Sequence, residues 1–213
     1  RCTAEMGRGC RFALPRYGTV QETLSATPKE AYGRYRELIR TARIEIFFSG
    51  CGSPDYAEEV FAKLFDGVER APLCPTPQRL PLRAERVTEL AEQLPMSQSK
   101  LVLGFRTGLP RQRRARTALR VMTALLGGST GSRLFTNGRE RLGCCYYCGA
   151  RVNLLTGILL IECGLEEANR ERLQSAILAE IADLAAGHIT PQELSHIKLA
   201  FQSSLCSIGD SLA

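Results

Sequence analysis

The sequence predicts an α+β protein, an antiparallel sheet with helices packed on one face. Three observations carry this. Two runs rich in β-formers, CCYYCGARVNL and GILLIECGL, meet across LLTG, which reads as a hairpin. Apolar residues recur at Ala115, Ala118, Leu119, Met122, Leu125 and Leu126, an i, i+3, i+4, i+7 stripe that defines one helix face. The pattern Thr-Pro-x-Glu occurs twice, at Thr27 and at Thr190. In each the threonine caps a helix, the proline fits the first turn, and the glutamate closes a capping box.

The elements follow in order. The first box opens a helix to about residue 42, with Ala31, Tyr35, Leu38 and Ile39 on its apolar face. ARIEIFFSG, closed by Gly50, reads as a strand. YAEEVFAKLF, from Tyr56, is a short amphipathic helix. Residues 67–97 change character, with Pro72, Pro75, Pro77, Pro81 and Pro95, and read as a linker. ERVTELAEQ near its end fits either an edge strand or a short helix. SKLVLGFRTG is a strand and starts the second block, residues 98–213, after a first block of residues 1–66. The striped helix, GGSTGS and a resumed helical pattern in SRLFTNGRE lead into the hairpin. A long helix from Ala168 to Ala186 turns Leu173, Ile177, Ile181 and Leu184 inward. The second capping box then starts a final helix through LSHIKLAFQSSL.

The 213 residues carry a net charge of +6, and nothing in the composition departs from a soluble globular chain. No run approaches the ~18 apolar residues of a transmembrane helix, and no secretory signal pattern opens the chain. It begins at Arg1 rather than methionine, as a piece of a longer protein would. The arginine-rich RTGLPRQRRARTALR could neutralise phosphates, but no aromatic residues interleave with it. A solvated helix face is the better reading, and no nucleic-acid partner is expected. Nine cysteines at irregular spacing argue against a disulfide framework and for a reducing, cytoplasmic compartment.

The chemical motifs are sparse. GGSTGSR has the wrong glycine spacing for a phosphate loop and no following lysine. Cys145 and Cys148 form a lone CxxC. On a regular strand these two would point to opposite faces, out of reach of one metal ion, with Tyr146 sharing the face of Cys144 and Cys148. His188 and His196 are eight apart, unlike ligand pairs on a helix face. No catalytic set and no metal site is expected within these residues. Arg139 and Tyr146 stay open between a helix-terminal arginine with a core tyrosine and a hydrogen-bonding pair at a cleft.

GGSTGSRLFTNGRERLGCCYY resembles the glycine-rich segment of the insulinase/pitrilysin metallopeptidases, which include the mitochondrial processing peptidase. The matching positions are Gly127-Gly128, Ser132 to Phe135, Arg139-Glu140-Arg141 and Tyr146. TPKEAYGRYRELIRTARIEIFFSG resembles the end of a first family lobe, SKLVLGFRTG the first strand of the second, and HITPQELSHIKLAF the helix after the hairpin. The resemblance implies paired α+β lobes, residues 1–66 ending one and 98–213 forming most of the next. It implies a chamber closed by two subunits, or by two fused halves. One subunit bears the zinc motif His-x-x-Glu-His, and the other supplies an arginine and a tyrosine seven apart to hold the substrate backbone.

Carried over by position, the substrate-binding residues are Arg139, Tyr146, Gly127, Gly128 and Ser132. Zinc is expected in a partner or in an upstream segment. The expected partners are a peptide and a zinc-bearing insulinase-like subunit, or a second copy of the chain. Asn137-Gly138 departs from the family, which more often has an apolar residue before the arginine. LVLGFRTG and GCCYYC resemble bacterial members that lack the zinc motif. The leading expectation is a non-catalytic subunit of a bacterial peptidase. The alternatives are an active homodimer whose motif lies upstream, or a scaffold of the same fold.

Overall fold

The computed structural model describes residues 1–15, 17–72, 81–108 and 112–208. Pro75 and Pro77 of the linker, and residues 109–111 of the arginine-rich run, lie outside the described residues. The chain divides into two compact units.

One unit comprises residues 14–72 of the described chain and is helical. It contains α2 (Val20–Ser25), α3 (Pro28–Thr41) and α4 (Pro54–Phe65). The capping box at Thr27 forms as the sequence predicts: Glu30 N–H donates to the threonine hydroxyl, and Glu30 carboxylate accepts from the Thr27 backbone. Thr19 and Glu22 make a further box that the sequence reading did not single out. ARIEIFFSG is not a strand. It joins no strand ladder among the described residues, and Phe47 is exposed. A strand is defined by its ladder, and β-forming side chains alone supply none. No described residue of this unit is buried.

The other unit joins residues 1–13 to residues 81–208. Its sheet has the order β1-β3-β2, with β1 (Ser99–Arg106), β2 (Tyr147–Asn153) and β3 (Ile158–Leu165), all antiparallel. The expected hairpin is β2–β3, with Asn153 opposite Ile158. ERVTELAEQ is neither strand nor helix. Beside the sheet lie α5 (Arg113–Gly127), a π-helix (Leu134–Arg141), α6 (Arg170–Ala185) and α7 (Pro191–Cys206).

The core joins Leu125 and Leu126 of α5, Leu159, Ile161 and Cys163 of β3, Leu173 and Ile177 of α6, and Ile197 of α7. The apolar stripes predicted for α5 and α6 therefore turn into one shared core, with α5 lying against β2. Leu101, Leu103 and Phe105 of β1 pack against the same core. The opposite face of β1 is met by the short α1 (Cys2–Met6): a Cβ at Gly104 would overlap Met6 Sδ and Cys2 Sγ.

Candidate functional site

The segment from Gly127 to Tyr147 is shaped by three backbone devices. The first is the π-helix. LFTNGRER, residues 134–141, winds as eight residues of π-helix, a wide form rare in proteins and frequent near functional sites. Gly138 lies buried in it, and a Cβ there would press on Leu173 of α6 at 3.3 Å. The unusual Asn137-Gly138 pair thus has a packing role, since glycine lets this helix approach α6. Asn137 also donates to Glu180 of α6 at 2.6 Å.

The second device is Gly143, whose φ of +61° lies in the left-handed region that favours glycine. It reverses the chain between Arg139 and Tyr146. The third is a β-bulge. Tyr147 is the register partner of Gly164, yet the Tyr146 N–H also donates to the Gly164 carbonyl at 2.8 Å. Two residues of one strand oppose one of the other.

This bulge corrects the expected alternation. Cys145 and Cys148 are both buried, whereas Tyr146 and Tyr147 are 48% and 44% exposed. A regular strand would have placed Tyr146 with Cys148, and Cys145 away from it. The extra residue resets the phase, so the pattern reads in, out, out, in. Cys145 and Cys148 interact directly instead of facing apart. Burial foremost, aided by this neighbour, pushes the Cys145 thiol up to about 11.

Tyr146 and Arg139 take different partners. The Tyr146 hydroxyl donates to Glu166 Oε1 at 2.9 Å, and that bond raises the phenol above its ordinary range. Arg139 lies with its guanidinium 4.8 Å from the centre of the Phe135 ring, a cation–π contact. Both side chains are exposed. Gly127 and Gly128 line an open recess of about 230 Å³ with Tyr147, Gly149, Ala150, Arg151 and Glu162. The glycine pair therefore shares a recess with Tyr147, not with Tyr146. Gly127 also lets α5 touch β2, because a Cβ there would lie 2.6 Å from the Ala150 nitrogen. Ser132 is buried, and its hydroxyl donates to the Ser129 carbonyl at 2.6 Å.

Sequence reasoning did not find Glu166 or Phe135. Both had a signal. Counting back from the hairpin turn places the start of β2 opposite the end of β3, where Glu166 follows. Phe135 stands one turn before Arg139.

Arg133, within the Ser-Arg-Leu-Phe motif, holds the helices together. Its side chain is only 11% exposed. It donates to Glu193 Oε1 at 2.7 Å and to Asp183 Oδ2 at 2.6 Å, and also to the His188 carbonyl. Glu193 simultaneously closes the capping box at Thr190. A cavity of about 500 Å³ opens beside this cluster, lined also by Asn137 and Glu180.

The histidines do not make a zinc site. His188 Nδ1 lies 2.7 Å from Asp183, which Arg133 already engages, and the ring of His196 lies against Gly131. Among the described residues no three His, Cys, Asp or Glu side chains are disposed to hold a metal ion. The described residues therefore offer no set that fits the zinc ion of the family. No helix among the described residues is long and apolar enough to cross a membrane.

A helix-backed antiparallel α+β lobe with two exposed tyrosines at the start of its hairpin is the class of protein that this fold and site define. Residues 25–201 match the family domain described as the peptidase M16 inactive domain, and the chain belongs to that family of insulinase-like proteins. It is 24% identical over 211 residues to the probable inactive metalloprotease YmfF of Bacillus subtilis, covering 99% of this chain and 49% of that protein. Two solved structures share the fold. A conserved protein from Enterococcus faecalis V583 has a TM-score of 0.84 at 20% identity, covering 99% of this chain and 50% of that one. A protease from Helicobacter pylori has a TM-score of 0.72 at 18% identity, covering 94% and 49%. The chain thus spans about half the length of these relatives.

Proposed function

We propose that this chain belongs to a non-catalytic, substrate-binding subunit of a bacterial insulinase-like peptidase complex, with zinc supplied by a partner subunit. The carrying observation is the match to a domain described as inactive, together with a site that presents Tyr146 and Arg139 outward while the described residues offer no metal ligand set. In this reading Tyr146 and Arg139 donate to carbonyls of an extended peptide. There the phenol and the guanidinium fork stabilise negative charge as the partner's metal-activated water attacks. Gly127 and Gly128 leave room for backbone beside β2. Ser132 contributes through the turn it closes. The cysteine content supports a reducing, cytoplasmic compartment for the assembly.

The test assembles the full-length subunit with its zinc-bearing partner and follows peptide turnover. Tyr146→Phe should lower turnover on the order of a hundredfold while leaving assembly intact. Unchanged turnover sinks the assignment. Stoichiometric zinc in the full-length subunit alone would instead favour an active homodimer.

A further inference from the structure

The hairpin brings three thiols together in the interior. Cys148 and Cys163 are register partners on β2 and β3, and their Sγ atoms lie 2.7 Å apart. Cys145 interacts with Cys148. The described residues place no three such groups around a common ion position, so the cluster is not a metal site. Directly opposed residues on antiparallel strands hold their Cβ atoms about 4.5–5.5 Å apart. A disulfide needs roughly 3.5–4.5 Å, a small inward movement from there. β2 is bonded to β3 alone among the described strands, and an edge strand of this kind opens locally at lower cost than a central one.

We propose that Cys148 and Cys163 form an oxidative modification site, a dithiol that a peroxide converts into a cross-strand disulfide. Cys148 is the entry point, being 8% exposed where Cys163 is fully buried. Its sulfur takes one oxygen from hydrogen peroxide, becoming a sulfenic acid and releasing one water. The Cys163 sulfur then attacks it, the S–S bond forms, and the oxygen leaves as a second water carrying the thiol's proton. Two thiols and one peroxide thus give one disulfide and two waters. The mutual hydrogen bond, and then burial, hold the Cys148 thiol above its ordinary range, so the reaction is slow at neutral pH and faster in mild alkali.

The product ties β2 to β3 next to Tyr147. The inference holds whatever peptide the chain handles.

Trypsin gives a direct readout. Cleavage after Arg141, Arg151 and Arg170 puts Cys144, Cys145 and Cys148 in one peptide and Cys163 in the next. Reduced full chain is treated with hydrogen peroxide, alkylated under denaturing conditions, digested and weighed by mass spectrometry. The expected product is the two peptides joined. The link should persist in Cys145→Ala and vanish in Cys148→Ala. The cross-link closes 15 residues, so the oxidised chain should melt roughly 6–12 °C higher. A loop confined to the 142–151 peptide, failure to link while exposed Cys206 oxidises, or a lowered melting point overturns the proposal.

Discussion

Replacing Arg133 with methionine should loosen the packing of α6, α7 and the π-helix more than any other single polar change in this unit. Methionine keeps much of the aliphatic stem and removes the fork. What is lost is one guanidinium, almost wholly enclosed, that bridges Glu193 at 2.7 Å and Asp183 at 2.6 Å with Glu180 at 3.5 Å. Removing one partner of a buried ion cluster costs roughly 3–5 kcal/mol. The three carboxylates keep 19–45% of their side-chain surface in water, which screens them once unpaired. The lower end, about 3 kcal/mol, is therefore the expectation for losing Arg133. For a domain of this size that lowers the thermal midpoint by roughly 6–12 °C.

The same cluster predicts an acid limb. Chiefly through its bond to Arg133, Glu193 is held at about 2 against an ordinary 4.5, and Asp183 is lowered as well, by His188 first and Arg133 next. A carboxylate depressed in the folded state adds stability that is complete above its unfolded value. That stability drains as pH falls from about 4.5 toward 2. Thermal melts of wild type and Arg133→Met across that range are the assay. Wild type should lose stability steeply over the window, and the variant should show a flattened slope. Arg133→Lys should fall between them, because one ammonium cannot span two helices as a fork does. A midpoint shift below about 2 °C in Arg133→Met, or an acid slope equal to wild type, refutes the reasoning.

Tyr146→Phe should leave the chain's melting point within ~2 °C, since the lost hydroxyl bond lies at the surface; a larger fall would show a buried structural tyrosine. In an ultraviolet titration of the tyrosines, Glu166→Gln should bring one raised phenol back toward the ordinary range, because Glu166 is the largest cause of the shift. An unchanged curve would mean that the bond does not form in solution. Gly127→Ala should cost about 1–3 kcal/mol in denaturant unfolding, as its Cβ would meet the Ala150 nitrogen at 2.6 Å and backbone cannot step aside. Leu126→Ala, at a site with no exposed surface, should cost about 2–5 kcal/mol by the same measurement.

The sequence by itself determined what depends on neighbours along the chain. Both Thr-Pro-x-Glu boxes form, because a cap is closed within four residues. The stripes of α5 and α6 turn into the core, because helical periodicity alone aligns Leu125 and Leu126, or Leu173 and Ile177, on one face. The hairpin around LLTG and the family likeness of the glycine-rich segment were legible for the same reason. Tertiary structure decided whatever needed a distant partner. ARIEIFFSG has a strand's composition, but a strand exists only where another chain segment accepts its ladder, and none among the described residues does. The phase of Tyr146 against the cysteines turned on one bulge opposite Gly164, a single added residue that inverts every later side chain without altering composition. The partner of Tyr146 lies 20 residues away at the far end of β3, and the carboxylates of Arg133 lie 47 to 60 residues along, on α6 and at the cap of α7. Such contacts are set by how strands and helices stack in space, so spacing along the chain could name Arg139 and Tyr146 but not what each one touches.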